Sequence, residues 1–189
     1  MPNPNKIIVN ESSLQLSDNF KPHHLKRLIK LRDVMQSAKK VKGGYVLELA
    51  KDKILFDIDV FALPAHHSDY EEVMAKTSCG TAACVIGTAG MIPEFRKAGL
   101  KTDSGANDVF LFNSKKKIKA REYEAFGEFF GTTTDYTEGY RTDTSTYMCD
   151  PFSYKNTHLR TVTPTPKDVV KRLNVLIKKG EKFLASKAK

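Results

Sequence analysis

The chain has 189 residues and a net charge of +9, which is the length of one domain with or without tails. Its 40% hydrophobic and 28% charged residues exclude wholesale disorder and supply a core that needs no disulfides. No apolar run approaches the roughly 18 residues of a membrane span, the opening MPNPNKIIVNESS lacks a secretory core, and three cysteines suit a reducing compartment. A cytoplasmic protein without a membrane partner is therefore expected.

The expected fold class is α+β. A mainly helical single domain over 21–189 surrounds a buried small-residue helix, with a small antiparallel sheet or hairpin beside it. Residues 1–20 are expected as an N-terminal tail. Pro22 suits the first position of a helix, and Leu28, Leu31, Met35 and Ala38 fall three and four apart, with Leu25 and Ile29 widening the stripe. That pattern predicts an amphipathic helix over 22–40 with a basic outer face, ended by Gly43-Gly44. Tyr45 to Ala50 and Ile54 to Val60, either side of Lys51-Asp52-Lys53, predict a hairpin.

From Gly80 to Ile92 almost every side chain is small or apolar, which predicts a buried helix ending before Pro93. Gly80, Ala83, Gly87 and Gly90 would line one stripe open to close approach. This helix is expected between the Pro22 helix and a second one over Arg121 to Phe130, itself stopped by Gly131. Asp108 to Phe112 reads as a strand and Lys115 to Lys119 as a solvated turn. Residues 131–163, rich in Thr, Tyr and Asp, read as a long irregular segment. Thr165, Pro166 and Asp168 give a strong helix start. A C-terminal amphipathic helix over 166–186 follows, with Lys167, Lys171, Arg172, Lys178 and Lys182 opposite its apolar face and Gly180 weakening it.

Ser78 to Gly90, reading SCGTAACVIGTAG, continues into Ile92-Pro93-Glu94-Phe95 and Ala98-Gly99-Leu100. It resembles a group of small uncharacterised bacterial and phage proteins marked by a C-G-T-A-A-C-x-x-G-x-A segment and a P-E-F-x-x-x-G-L continuation. Phe56-Asp57-Ile58, Ala125 to Gly131 and Asp150 to Tyr154 extend the likeness over roughly residues 23–154. Large side chains at position 88 and a shorter stretch between Gly131 and Asp150 distinguish many members of the group. The resemblance implies a common fold and no established activity, and it directs attention to Cys79 to Gly90.

A helix starting near Thr81 would put Cys79 at its N-terminus, where free N–H groups favour a thiolate. With His66, His67 or His158 as base, that is the outline of a cysteine enzyme. The plainer reading is that Cys79 and Cys84 are small buried core residues. His66, His67, Cys79 and Cys84 also have the ligand types of a zinc site, but two cysteines five apart on a helix diverge by about 140°. No metal or other cofactor is expected.

Basic residues are clustered, with net charges of +6 over 1–53, +5 over 96–123 and +8 over 155–189. Lys115, Lys116 and Lys117, together with Lys171, Arg172 and Lys178, could meet phosphates, or could simply be solvated faces. Tyr136 and Tyr140 in the acidic aromatic stretch offer a protein-contact surface. No nucleotide-binding fingerprint or zinc finger accompanies them. The leading expectation is a non-enzymatic binding protein, of phage or bacterial type, that engages an acidic partner. Nucleic acid ranks first and an acidic host or virion protein second, with the Cys79 enzyme as the alternative.

Overall fold

The computed structural model describes residues 14–42, 44–49, 52–56, 63–64, 81–103, 108–133 and 165–188. Helix α1, Pro22–Gln36, begins with proline at its first turn. It buries Leu28, Leu31, Val34 and Met35, the face its apolar spacing dictates. It stops four residues before the expected end, because Ser37 caps it through a hydroxyl bond to the Val34 carbonyl (2.7 Å). Lys39–Val41 then becomes a strand, β1. β1 pairs antiparallel with β2, Gly44–Leu49, and β2 with β3, Asp52–Phe56. The expected hairpin is present, but Asp52 and Lys53, expected in its turn, belong to β3 in a register that sets Leu49 opposite Asp52, and residues 57–60 of the expected second strand lie outside the described residues.

The expected helix over 80–92 needs correction. Thr81–Ala83 is a strand, β5, parallel to β3 and antiparallel to the short β4, Leu63–Pro64. The first sheet therefore has five strands in the order β1-β2-β3-β5-β4 and is mixed rather than antiparallel. Helix α2 is only Val85–Met91. Alanine favours helix by less than 1 kcal/mol, and the backbone bonds offered by β3 outweigh that preference. α2 is followed at once by α3, Pro93–Lys97.

Strands β6 (Leu100–Asp103), β7 (Asp108–Phe112) and β8 (Ile118–Arg121) form a second, antiparallel sheet. α2 lies mainly against β6 and β7 of this sheet, not between two helices as expected. The small-residue stripe makes that approach possible: a Cβ on Gly90 would stand 2.8 Å from the Thr102 backbone nitrogen. Helix α4, Glu122–Phe130, supplies Phe126, Phe129 and Phe130 to the core. Phe95 from α3 packs edge-on against Phe129 and Phe130. Gly131 closes α4 in the left-handed conformation (φ +67°).

Helix α5, Pro166–Lys187, starts as the sequence dictates. The Asp168 carboxylate accepts bonds from the Thr165 amide (3.1 Å) and hydroxyl (2.7 Å). Its most extensive packing is against α1. Gly180 costs α5 about 1 kcal/mol of helix propensity, but it also seats the Phe20 ring, which a Cβ would meet at 2.8 Å. Phe20 also lies edge-on to Phe183.

The expected tail is in part built into the domain. Leu14 and Phe20 are buried, Leu16 bridges to Thr132, and the Lys179 ammonium donates to the Leu14 carbonyl (2.7 Å). The result is a single compact α+β domain with one core running from Leu14 to Ile177.

Candidate functional site

Two basic surfaces stand out among the described residues. The first is the outer face of α5. Lys167, Lys171, Lys178 and Lys182 are all exposed, and their spacings of four, seven and four residues return to one side of a helix. At about 1.5 Å per residue the row is roughly 22 Å long. Among the described residues its one ion pair joins Lys171 to Asp168 (2.8 Å), and exposed Glu181 stands at its edge. Arg172 does not belong to this face: it lies about 140° round the helix from Lys167 and is half-buried. Lys179 likewise turns inward to Leu14.

The second surface is a cleft of about 360 Å³ beside the first turns of α1. α1 contributes His23, His24 and Arg27, and the β7–β8 connection contributes Asn113 and Ser114. Lys119 of β8 and Glu128 of α4 form an ion pair on its wall, and Leu111, Phe112 and Phe129 provide apolar lining. Arg27 is half-buried. Its guanidinium lies 3.8 Å above the Phe129 ring and donates to the Phe129 carbonyl (2.7 Å). Burial pulls its pKa down.

His24 is held as a neutral acceptor. Its Nδ1 receives the Lys21 backbone N–H at 3.1 Å, and burial, reinforced by His23, Arg27 and Lys21, lowers its pKa to about 4. Burial and the charges of Arg27 and Lys21 also lower that of His23. Gly131 makes room for the His24 ring. The connection that carries Lys115, Lys116 and Lys117 is exposed. The Asn113 side chain accepts the Lys115 and Lys117 amides at 2.9 and 3.0 Å, which holds Lys116 in a left-handed conformation (φ +57°). Lys119, expected in this turn, is in strand β8 instead.

Cys84, not Cys79, caps the α2 N-terminus. The helix begins six residues past Cys79, with β5 in between, so the premise that placed Cys79 at a helix N-terminus does not hold. Cys84 is buried in the core. Cys79, His66, His67, His158, Tyr136, Tyr140 and the irregular segment from 134 to 163 lie outside the described residues. Among the described residues no three His, Cys, Asp or Glu side chains converge as metal ligands, and no helix is long and apolar enough to cross a membrane.

The cleft residues on α1 were missed by sequence reasoning. His23-His24 and Arg27 read as part of a basic helix face, and only the docking of β7, β8 and α4 makes them walls. The nearest sequence signal was the pairing of two histidines with an arginine in the first turns of a helix. Compared with protein-family models, with curated protein sequences and with solved structures, the chain has no match.

Proposed function

We propose that the protein is a non-enzymatic binding protein whose partner is a polyanion, with nucleic acid ahead of an acidic protein. The observation that carries this reading is the α5 row: four exposed lysines on one side of a straight element. A helix that displays ammonium groups about 6 and 10 Å apart along its axis can follow a phosphate backbone. Such contacts give affinity without base readout. The exposed Lys115 to Lys117 connection supports the same reading. Holding Lys116 at positive φ costs roughly 1 kcal/mol that glycine would not, and the cost falls on a residue whose side chain has no packing role.

The test is binding of labelled duplex DNA at low salt, read by fluorescence anisotropy, with polyglutamate as competitor. The proposed order of partners requires DNA to bind and polyglutamate to displace it only weakly. Equal displacement would move an acidic protein to first place, and absence of DNA binding would remove nucleic acid.

A further inference from the structure

The cleft beside α1 has chemistry that the α5 row does not share. We propose that it is a binding site for a phosphate monoester, with the phosphoryl group on Arg27 and the organic part over Leu111 and Phe112. The inference does not rest on the α5 reading.

Arg27 carries the argument. Its guanidinium is half withdrawn from water, stacked on Phe129, and bonded to a single carbonyl. Among the described residues it has no carboxylate partner. The one acid that lines the cleft, Glu128, is paired with Lys119. A desolvated cation without a counter-ion in a concave site is the arrangement an anionic ligand completes. Stacking on Phe129 fixes the plane of the guanidinium, so the donors not used by the carbonyl are already oriented.

The ligand class follows from the rest of the lining. His23, Ser114 and Lys119 add donors from three separate elements; together with the remaining N–H groups of Arg27 they outnumber the about four acceptor sites of a carboxylate and suit the three terminal oxygens of a phosphate monoester. Leu111 and Phe112 supply an apolar surface in the same cleft. Its volume of about 360 Å³ lies within the range of small-molecule sites, of which bare phosphate would fill only a part. A monoester could be free in solution or could be the 5′ end of a nucleic acid.

Isothermal titration of the full chain with phenyl phosphate, inorganic phosphate and benzoate tests the proposal. Phenyl phosphate should bind most tightly and benzoate least. Arg27→Gln should weaken phenyl phosphate roughly tenfold or more, as expected for loss of a charged hydrogen-bonding partner. Because Arg27 also packs on Phe129, a second variant is needed. Ser114→Glu adds a negative charge at an exposed position on the cleft and should weaken binding without disturbing the core. Changing Lys167, Lys171 and Lys178 to Gln should leave phenyl phosphate binding unaltered.

Two oligonucleotides, one with a 5′-phosphate and one with a 5′-hydroxyl, separate the sources. A preference for the phosphorylated end that Ser114→Glu abolishes identifies nucleic-acid termini, and equal binding of the two alongside phenyl phosphate binding identifies a free monoester. Failure of phenyl phosphate to bind, benzoate binding as tight as phenyl phosphate, or unchanged affinity in a folded Ser114→Glu protein would overturn the proposal.

Discussion

On the outer face of α5 the lysines are exposed to water and their charges are screened. At the first turns of α1, by contrast, Arg27 is half withdrawn from water onto Phe129 and His24 is buried and neutral. Both surfaces are basic, yet charge acts differently in each. An exposed row works by number and reach and weakens as salt rises. A partly desolvated cation works by geometry, resists screening, and is tied to the packing behind it. Substitutions near the cleft should therefore disturb stability and binding together, whereas substitutions on the row should separate the two.

The largest effect is expected at Gly131. It has positive φ, and any side chain there would collide with the His24 ring and approach Phe20 to 2.9 Å. Gly131→Val should cost about 3 kcal/mol or more, seen as a fall in melting temperature. A melting temperature equal to that of the parent would mean that the cleft wall is not packed as described.

A pH series probes the same wall. In the unfolded chain His24 takes up a proton near its ordinary value of 6.5, but in the folded protein only near 4. Between those values the unfolded state binds more protons, so stability is intact above pH 6.5 and is lost as pH falls towards 4. The loss should reach at most about 3 kcal/mol, less to the extent that solvent screens the ring. His24→Gln keeps an acceptor for the Lys21 amide and should flatten this part of the curve. An unchanged curve would show that other groups set it.

Gly180→Ala should be milder than the change at Gly131. The added methyl presses on the Phe20 ring, but alanine recovers nearly 1 kcal/mol of helix propensity, leaving a net cost of about 1 kcal/mol in a denaturant melt. A stabilised variant would mean that Phe20 moves aside freely.

These glycines show what the sequence could and could not disclose. Gly131 was legible as a helix stop, because chain order alone identifies a glycine after Phe129-Phe130. Gly180 read as a weak point, because its partner Phe20 is far away in sequence and only the docking of α5 on the N-terminal segment brings them together. The same limit applies to Leu14 and Phe20 in the supposed tail. Local signals were reliable where the cause was local: the Thr165 and Asp168 cap, the β2–β3 hairpin, and the β7 strand. They failed at Thr81–Ala83, where small residues compatible with a helix are taken into a sheet by β3, and at Lys39–Val41, where β2 extends the sheet. For the candidate surfaces, the lysine row was visible in the spacing, apart from Arg172. The cleft was not, because its walls come from five separate stretches of the chain.

Smaller still is the effect expected at Lys116. Lys116→Gly relieves a left-handed residue and should raise stability by about 0.5–1 kcal/mol while weakening polyanion binding slightly. A destabilised protein would mean that the Lys116 side chain is packed. Least of all, replacing Lys167, Lys171, Lys178 and Lys182 by Gln should change stability by less than about 0.5 kcal/mol, since among the described residues the pair with Asp168 is the one ion pair lost.

The most direct test of polyanion binding uses that same fourfold variant. Affinity for duplex DNA is measured across a salt series for parent and variant, and the logarithms are compared. The account predicts a steep negative slope for the parent and one shallower by roughly 0.9 for each phosphate contact removed. Identical slopes for the two proteins, or no binding by the parent at low salt, would contradict it.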